Sequence, residues 1–188
     1  MDPKILIEKP NKNLSRARNK NYTIHQALDN DCSHVMFVDE NIVIQPDTIQ
    51  KLFIHNKDVV TALYLTITYP HFPAVFNGWF EDAKESIMYL DKDIKGLVPI
   101  IGCGLGCVLI KIEVFKKLRY PWIEGDGLEL FIKALSSGFK MFCDTDTRVG
   151  HLHTSTLYPG NHGEAWYTEY RNDNCSVLAQ QMIPFKVE

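Results

Sequence analysis

The sequence predicts an α/β domain with a mostly parallel central sheet and a small antiparallel insertion. Three observations lead there. HVMFV, from His34, is an apolar run of the length and composition of a strand covered on both faces. It sits in an alternation of short strand-like and helix-like stretches over the first third of the chain. Beyond that the pattern changes to short strands around a polar turn, as an antiparallel insertion would have it.

Taken in order, KILIE from Lys4 reads as a first strand, and Arg16 to Leu28, after the turn-prone PNKN, as a helix. HVMFV follows and stops at the acidic DEN. Pro46 and Asp47 signal a helix start, with Ile49, Leu52 and Phe53 at helical spacing, and DVVTALYL is the next strand. Short connections in a β-α-β-α-β order imply parallel strands joined by right-handed crossovers. AVFNGWF and SIMYLD form the insertion and lead into VPIIGCGLGCVLIKIEVF. GLELFIKALSSGF places Leu128, Phe131, Ile132 and Leu135 on one helical face, with Gly138 where a left-handed C-terminal cap belongs. KMFCD and TRVGHLH are strands, and a helix is expected between about Glu164 and Met182.

The composition sets the boundaries of function. With 188 residues, 45% hydrophobic and 23% charged, the chain fits one domain: a nucleotide-binding half to about residue 65, an acceptor and catalytic half to about 153, and a C-terminal extension. The five cysteines include no C-x-x-C pair, which points to free thiols and a cytoplasmic location. No apolar run approaches the ~20 residues of a membrane span, so membrane contact would be peripheral. A net charge of −3 excludes a general nucleic-acid footprint. Lys9, Lys12, Arg16, Arg18 and Lys20 nonetheless crowd one segment, which suits either a phosphate or plain solvation.

Three sites carry candidate chemistry. FVDEN ends a buried strand in Asp39, Glu40 and Asn41, at the sheet edge where ligands of open α/β folds bind. Oxygen ligands there suit Mg²⁺ or Mn²⁺, and on an extended backbone Asp39 and Asn41 would share a side; a polar turn is the bland reading. In GHLH, His151 and His153 share a strand face and could flank a cation, or be ordinary hydrogen-bonded histidines. In EGDGLE, Asp126 and Glu129 open a helix, where either carboxylate could take a proton as general base or could cap the helix. The glycines of GCGLGC precede VLIKIEVF, which reads as a strand, so they offer room for a packed neighbour or substrate rather than a phosphate loop. Cys103 and Cys107 make only a weak zinc pair, and Trp122 is a candidate platform for a sugar ring.

In this order the segments resemble family 2-like glycosyltransferases of the GT-A fold, especially the compact viral and prokaryotic kind. SRARNKNYTIHQAL looks like the family's Arg-Asn helix, and VMFVDENIVIQPDTIQKL like its strand, acidic triplet and following helix. VPIIGCGLGCVLIKIEVFKKL with PW looks like the strand before the catalytic loop, and GFKMFCDTDTRVGHLH like the closing segment with its histidine. The resemblance spans roughly Leu14 to His153.

It implies transfer of a sugar from a nucleotide diphosphate to a hydroxyl of a glycan, protein or lipid, inverting by direct displacement, with Mn²⁺ or Mg²⁺ as cofactor. Asp39 would lie near ribose and metal, Asn41 and His151 would be metal ligands, and Arg16, Arg18 and Asn19 would serve the nucleotide. Asp126 is the expected base, with Glu129 second and more suited to capping the helix. The chain departs from the family in three places. Asn41 stands where Asp is usual, Gly127 and Leu128 occupy the usual Glu-Asp positions, and about 14 residues precede the Arg-Asn helix where another strand and helix are common. These departures motivate a competing reading as a non-catalytic nucleotide-sugar or glycan-binding module. A metal-dependent hydrolase built on His151 and His153 is a third.

Overall fold

The computed structural model describes residues 11–66, 73–79, 87–89, 95–152, 155–159, 165–171 and 177–184. The expected KILIE strand, His153 and Cys175 lie outside them.

Helix α1 (Arg16–Asp29) begins where the Ser15 hydroxyl accepts the Arg18 amide, satisfying a donor the first turn leaves open. Strand β1 (His34–Val38) coincides with HVMFV, and β2 (Ile42–Val43) follows a tight turn. After α2 (Thr48–Ile54) come β3 (Val59–Leu63), β4 (Val75–Trp79), β5 (Ile87–Tyr89), β6 (Leu97–Ile100) and β7 (Gly102–Cys103). Strand β8 (Cys107–Lys111) runs directly into α3 (Ile112–Lys117), so the second half of VLIKIEVF is helix rather than strand. The chain continues through α4 (Leu128–Ser136), β9 (Met141–Arg148), β10 (Gly150–His151), β11 (Ser155–Pro159), β12 (Ala165–Arg171) and β13 (Val177–Pro184).

The expected C-terminal helix is therefore replaced by an antiparallel sheet in the order β11-β12-β13. AWYTEYR is rich in aromatic residues, which favour a pleated surface over a helix.

The central sheet runs β1-β8-β3-β9-β6 and is mixed. Only β3 with β9 is parallel; β1 with β8, β3 with β8 and β6 with β9 are antiparallel, which corrects the mostly parallel expectation. Strands β1 and β3 do point the same way, since both oppose β8. What periodicity could not reveal is that β8, far along the chain, enters between them.

Alternation along the strands splits the core in two. Val35, Phe37, Val59, Val108 and Ile110 face one cluster, closed by Ile24 of α1, Phe115 of α3 and Phe131 of α4. Val60, Ala62, Cys107 and Leu109 face the other, closed by Leu52 of α2 and by Tyr64. Each such large apolar side chain contributes roughly 1.5–3 kcal/mol through burial.

Helix α4 buries Leu130, Phe131 and Ala134, whereas Ile132 is 45% exposed, so its core face is rotated from the one expected. Gly138 has φ +86°, and its amide donates to Leu135 O while that of Phe139 donates to Ala134 O, closing the helix as a left-handed cap. Among the described residues, no helix is long and apolar enough to cross a membrane.

Candidate functional site

Pairing of β1 ends at Asp39, whose amide donates to Gly106 O (2.9 Å) and whose carbonyl accepts the Ile42 amide (3.0 Å). Asp39, Glu40 and Asn41 thus form the polar turn that was the alternative to an extended backbone, so Asp39 and Asn41 are not presented by strand alternation. They come together another way. Both line a cleft of about 400 Å³, together with Arg16, Asn19 and Lys20 of α1 and with His151. His151 arrives because β10 pairs with β2, placing His151 opposite Ile42, and because the Leu152 amide donates to Asn41 O (2.7 Å).

His151 is held in one tautomer. Its Nδ1 lies 2.7 Å from Leu65 O, and a carbonyl can only accept, so Nδ1 carries the proton and Nε2 keeps its lone pair in the neutral ring. The ring meets the edge of Tyr64 at 5.6 Å between centroids. Tyr64 is buried, and its hydroxyl accepts the Gly106 amide (3.0 Å). A methyl group on Gly106 would come within 2.7 Å of that hydroxyl oxygen, and one on Gly104 would overlap it. Gly104 and Gly106 therefore make room for a tyrosine. Burial, with Cys103 adding to it, raises the Tyr64 pKa far above its ordinary value, so the phenol stays neutral.

Helix α1 contributes residues at helical spacing: 16, 19, 20 and 23 line the cleft, while Arg18, two positions from Arg16, does not and is exposed. Arg16 supplies an exposed cation at the rim. Asn19 is largely spent on local structure, its Oδ1 accepting the Asn11 amide and its Nδ2 donating to Asn11 O and Leu14 O.

Lys20, counted from the sequence only as one of a basic segment, lies inside the cleft. Its Nζ sits 2.8 Å from Asp39 Oδ1 and 3.5 Å from Leu105 O, over the Phe37 ring at 5.2 Å. The available signal was its i, i+4 spacing from Arg16, which a basic run obscures.

Two carboxylates, two amides and one imidazole border the cleft, and of these Asp39 and Asn41 each offer an oxygen and His151 a nitrogen. This mixed O,O,N set fits a cation such as Mn²⁺ better than Mg²⁺, with further ligands drawn from a diphosphate or water. Among the described residues no three His, Cys, Asp or Glu side chains are grouped to hold a metal by themselves. Cys103 and Cys107 are buried free thiols; burial raises both pKa values, that of Cys107 to about 11, which disfavours the thiolates zinc would need.

The acidic loop lies beyond Leu105, and neither Asp126 nor Glu129 lines the Asp39 cleft. Asp126 is exposed and its Oδ1 accepts the Leu128 amide (3.2 Å). Glu129 makes no such cap; its Oε2 is buried without a hydrogen-bond partner. The helix start is thus served by Asp126 and not by Glu129, the better capping candidate expected from the sequence. Gly127, at a position where the family carries an acid, has φ +94°, and a Cβ there would overlap Leu105 Cδ1. Trp122 is no sugar platform. It is 5% exposed, and its Nε1 donates to Phe115 O (2.9 Å) and Leu118 O (3.2 Å). Buried Asn21 anchors this loop to α1, donating to Ala17 O and Ile123 O and accepting the Trp122 and Ile123 amides.

No family model matches the chain, and no curated protein matches it. Among solved structures it is similar to the crystal structure of A197 from STIV, with a TM-score of 0.54 over 93% of this chain and 80% of that one, at 17% identity. At that identity the likeness concerns the fold, and it agrees with an α/β class built on a mixed sheet.

Proposed function

We propose that the chain is a metal-dependent, family 2-like glycosyltransferase of the GT-A fold, transferring a sugar from a nucleotide diphosphate to an acceptor hydroxyl with inversion. The supporting observation is the cleft itself. It gathers Arg16, Asp39, Asn41 and His151, which the motif resemblance assigns to diphosphate and cation, from three separate stretches of chain. Buried free thiols accord with a cytoplasmic location.

Asp39, Asn41 and His151 Nε2 would hold the cation, whose chemistry there is to neutralise charge on the departing diphosphate. Arg16 adds positive charge on the same side. The acceptor oxygen attacks the anomeric carbon opposite the diphosphate, the anomeric C–O bond breaks with its electron pair leaving on the diphosphate, and a carboxylate takes the acceptor proton. We assign that proton to Glu129 rather than Asp126. A buried carboxylate oxygen without a partner is costly unless a ligand or proton satisfies it, whereas Asp126 is occupied at the helix start.

The test is release of nucleoside diphosphate from a panel of nucleotide sugars with Mn²⁺. His151→Ala should lower cation-stimulated release by at least about 100-fold. Release that is unchanged by chelator and by His151→Ala would refute the assignment. The absence of room for a side chain at Gly127 favours a second reading, a nucleotide-sugar-binding module without turnover. Binding of the donor with no release in any acceptor mixture would select it.

A further inference from the structure

Lys20 and Asp39 form the best-defined ion pair of the cleft, at 2.8 Å. The Lys20 side chain is only 17% exposed, and its ammonium also faces Leu105 O and the Phe37 ring. It is thus seated on three groups, not merely drifting over a surface. Asp39 supplies the one carboxylate of the proposed cation set, Asn41 and His151 adding none.

The charged groups lining the cleft are Arg16 and Lys20 against Asp39 and Glu40, so its formal charge is balanced before any ligand arrives. A dication entering alone meets a carboxylate already neutralised and an ammonium a few ångströms away. A diphosphate reverses this, because its negative charge attracts both the cation and the ammonium.

We propose that Lys20 competes with the divalent cation for Asp39, so that this site takes up the cation only when a diphosphate draws the ammonium away. Lys20 then serves the diphosphate as a second cation beside Arg16. The inference rests on the reading of Asp39 as a cation ligand and adds a residue that this reading does not require.

Mn²⁺ binding to the full chain is measured from loss of the free-ion electron paramagnetic resonance signal, without nucleotide, for the wild type, Lys20→Met, Lys20→Arg and Asp39→Asn. Binding of inorganic pyrophosphate to the same proteins is measured by calorimetry in the presence of Mn²⁺. Lys20→Met should tighten free Mn²⁺ binding roughly five- to tenfold, the scale of removing one partly screened like charge, and should weaken pyrophosphate binding. Lys20→Arg, which keeps the charge and the fold, should stay near wild type in both. Equal Mn²⁺ affinity in wild type and Lys20→Met, with loss in Asp39→Asn, overturns the competition while leaving the cation site standing. Pyrophosphate binding in the presence of Mn²⁺ that is indifferent to Asp39→Asn overturns the cation site and the competition with it.

Discussion

Gly127→Ala is the substitution whose consequence the structure states most sharply. Gly127 opens α4 at φ +94°, a conformation that costs an L-residue roughly 1–2 kcal/mol. The new methyl would also overlap Leu105 Cδ1 and lie 3.2 Å from Leu105 Cγ, in a loop whose neighbours are buried; overpacking of this kind costs typically about 1–3 kcal/mol. Together these give roughly 2–5 kcal/mol, which for a chain of this length lowers the melting temperature by about 4–20 °C. The two contributions separate in a double-mutant cycle with Leu105→Ala. Removing Leu105 relieves the overlap but not the backbone strain, so the double variant should be more stable than the sum of the singles by about 1–3 kcal/mol. Denaturant unfolding of the four proteins measures this. Strict additivity would show that Leu105 does not exclude a side chain at 127, and would reopen that position to a catalytic acid.

Two further outcomes follow from the same geometry. Asp126→Asn, which preserves a capping oxygen, should leave stability and transfer nearly unchanged, while Glu129→Gln should slow transfer by roughly 10²- to 10⁴-fold. Donor-release kinetics decide this, and the opposite ranking returns the base to Asp126. Asp144 should govern acid stability. Burial raises its pKa, but Thr147 Oγ1 (2.6 Å), His55 Nε2 (2.9 Å) and the Asp146 and Thr147 amides outweigh this and hold it below its ordinary value of 3.8. A depressed folded pKa contributes stability above the unfolded pKa that is lost as pH falls through the folded one. The stability gap between wild type and Asp144→Asn should therefore be about 2 kcal/mol near neutrality and shrink below about pH 4, and a gap independent of pH would refute the argument.

What could be read from the sequence was local. HVMFV matches β1 residue for residue because apolar composition and the following acids act within a few positions. Gly138 was foreseeable because only the backbone at that residue matters. The order of the sheet was not, since β8 reaches its place between β1 and β3 through pairing over a long separation. The face of α4 was misread for a related reason: Ile132 has the composition of a core residue, yet neighbouring elements bury Leu130 and Ala134 instead. In the cleft, the candidates Asp39, Asn41 and His151 were visible as residue types. Their assembly depends on β2 and β10, two residues each, whose pairing leaves no periodic trace.

The loop Gly104–Gly106 explains why cleft and acidic loop form one arrangement despite lying apart in sequence. Gly106 O takes the Asp39 amide, and the Gly106 amide meets the Tyr64 hydroxyl, whose ring in turn abuts His151. Leu105 O faces Lys20 while its side chain packs on Gly127 at the head of α4. A displacement of this loop would therefore reach the cleft through Asp39, Lys20 and His151 and the acidic loop through α4. The glycines permit close approach to Tyr64, and that approach fixes the loop. On the proposed reading, such rigidity would serve the displacement reaction, because misplacement of about 1 Å can cost 10²-fold in rate.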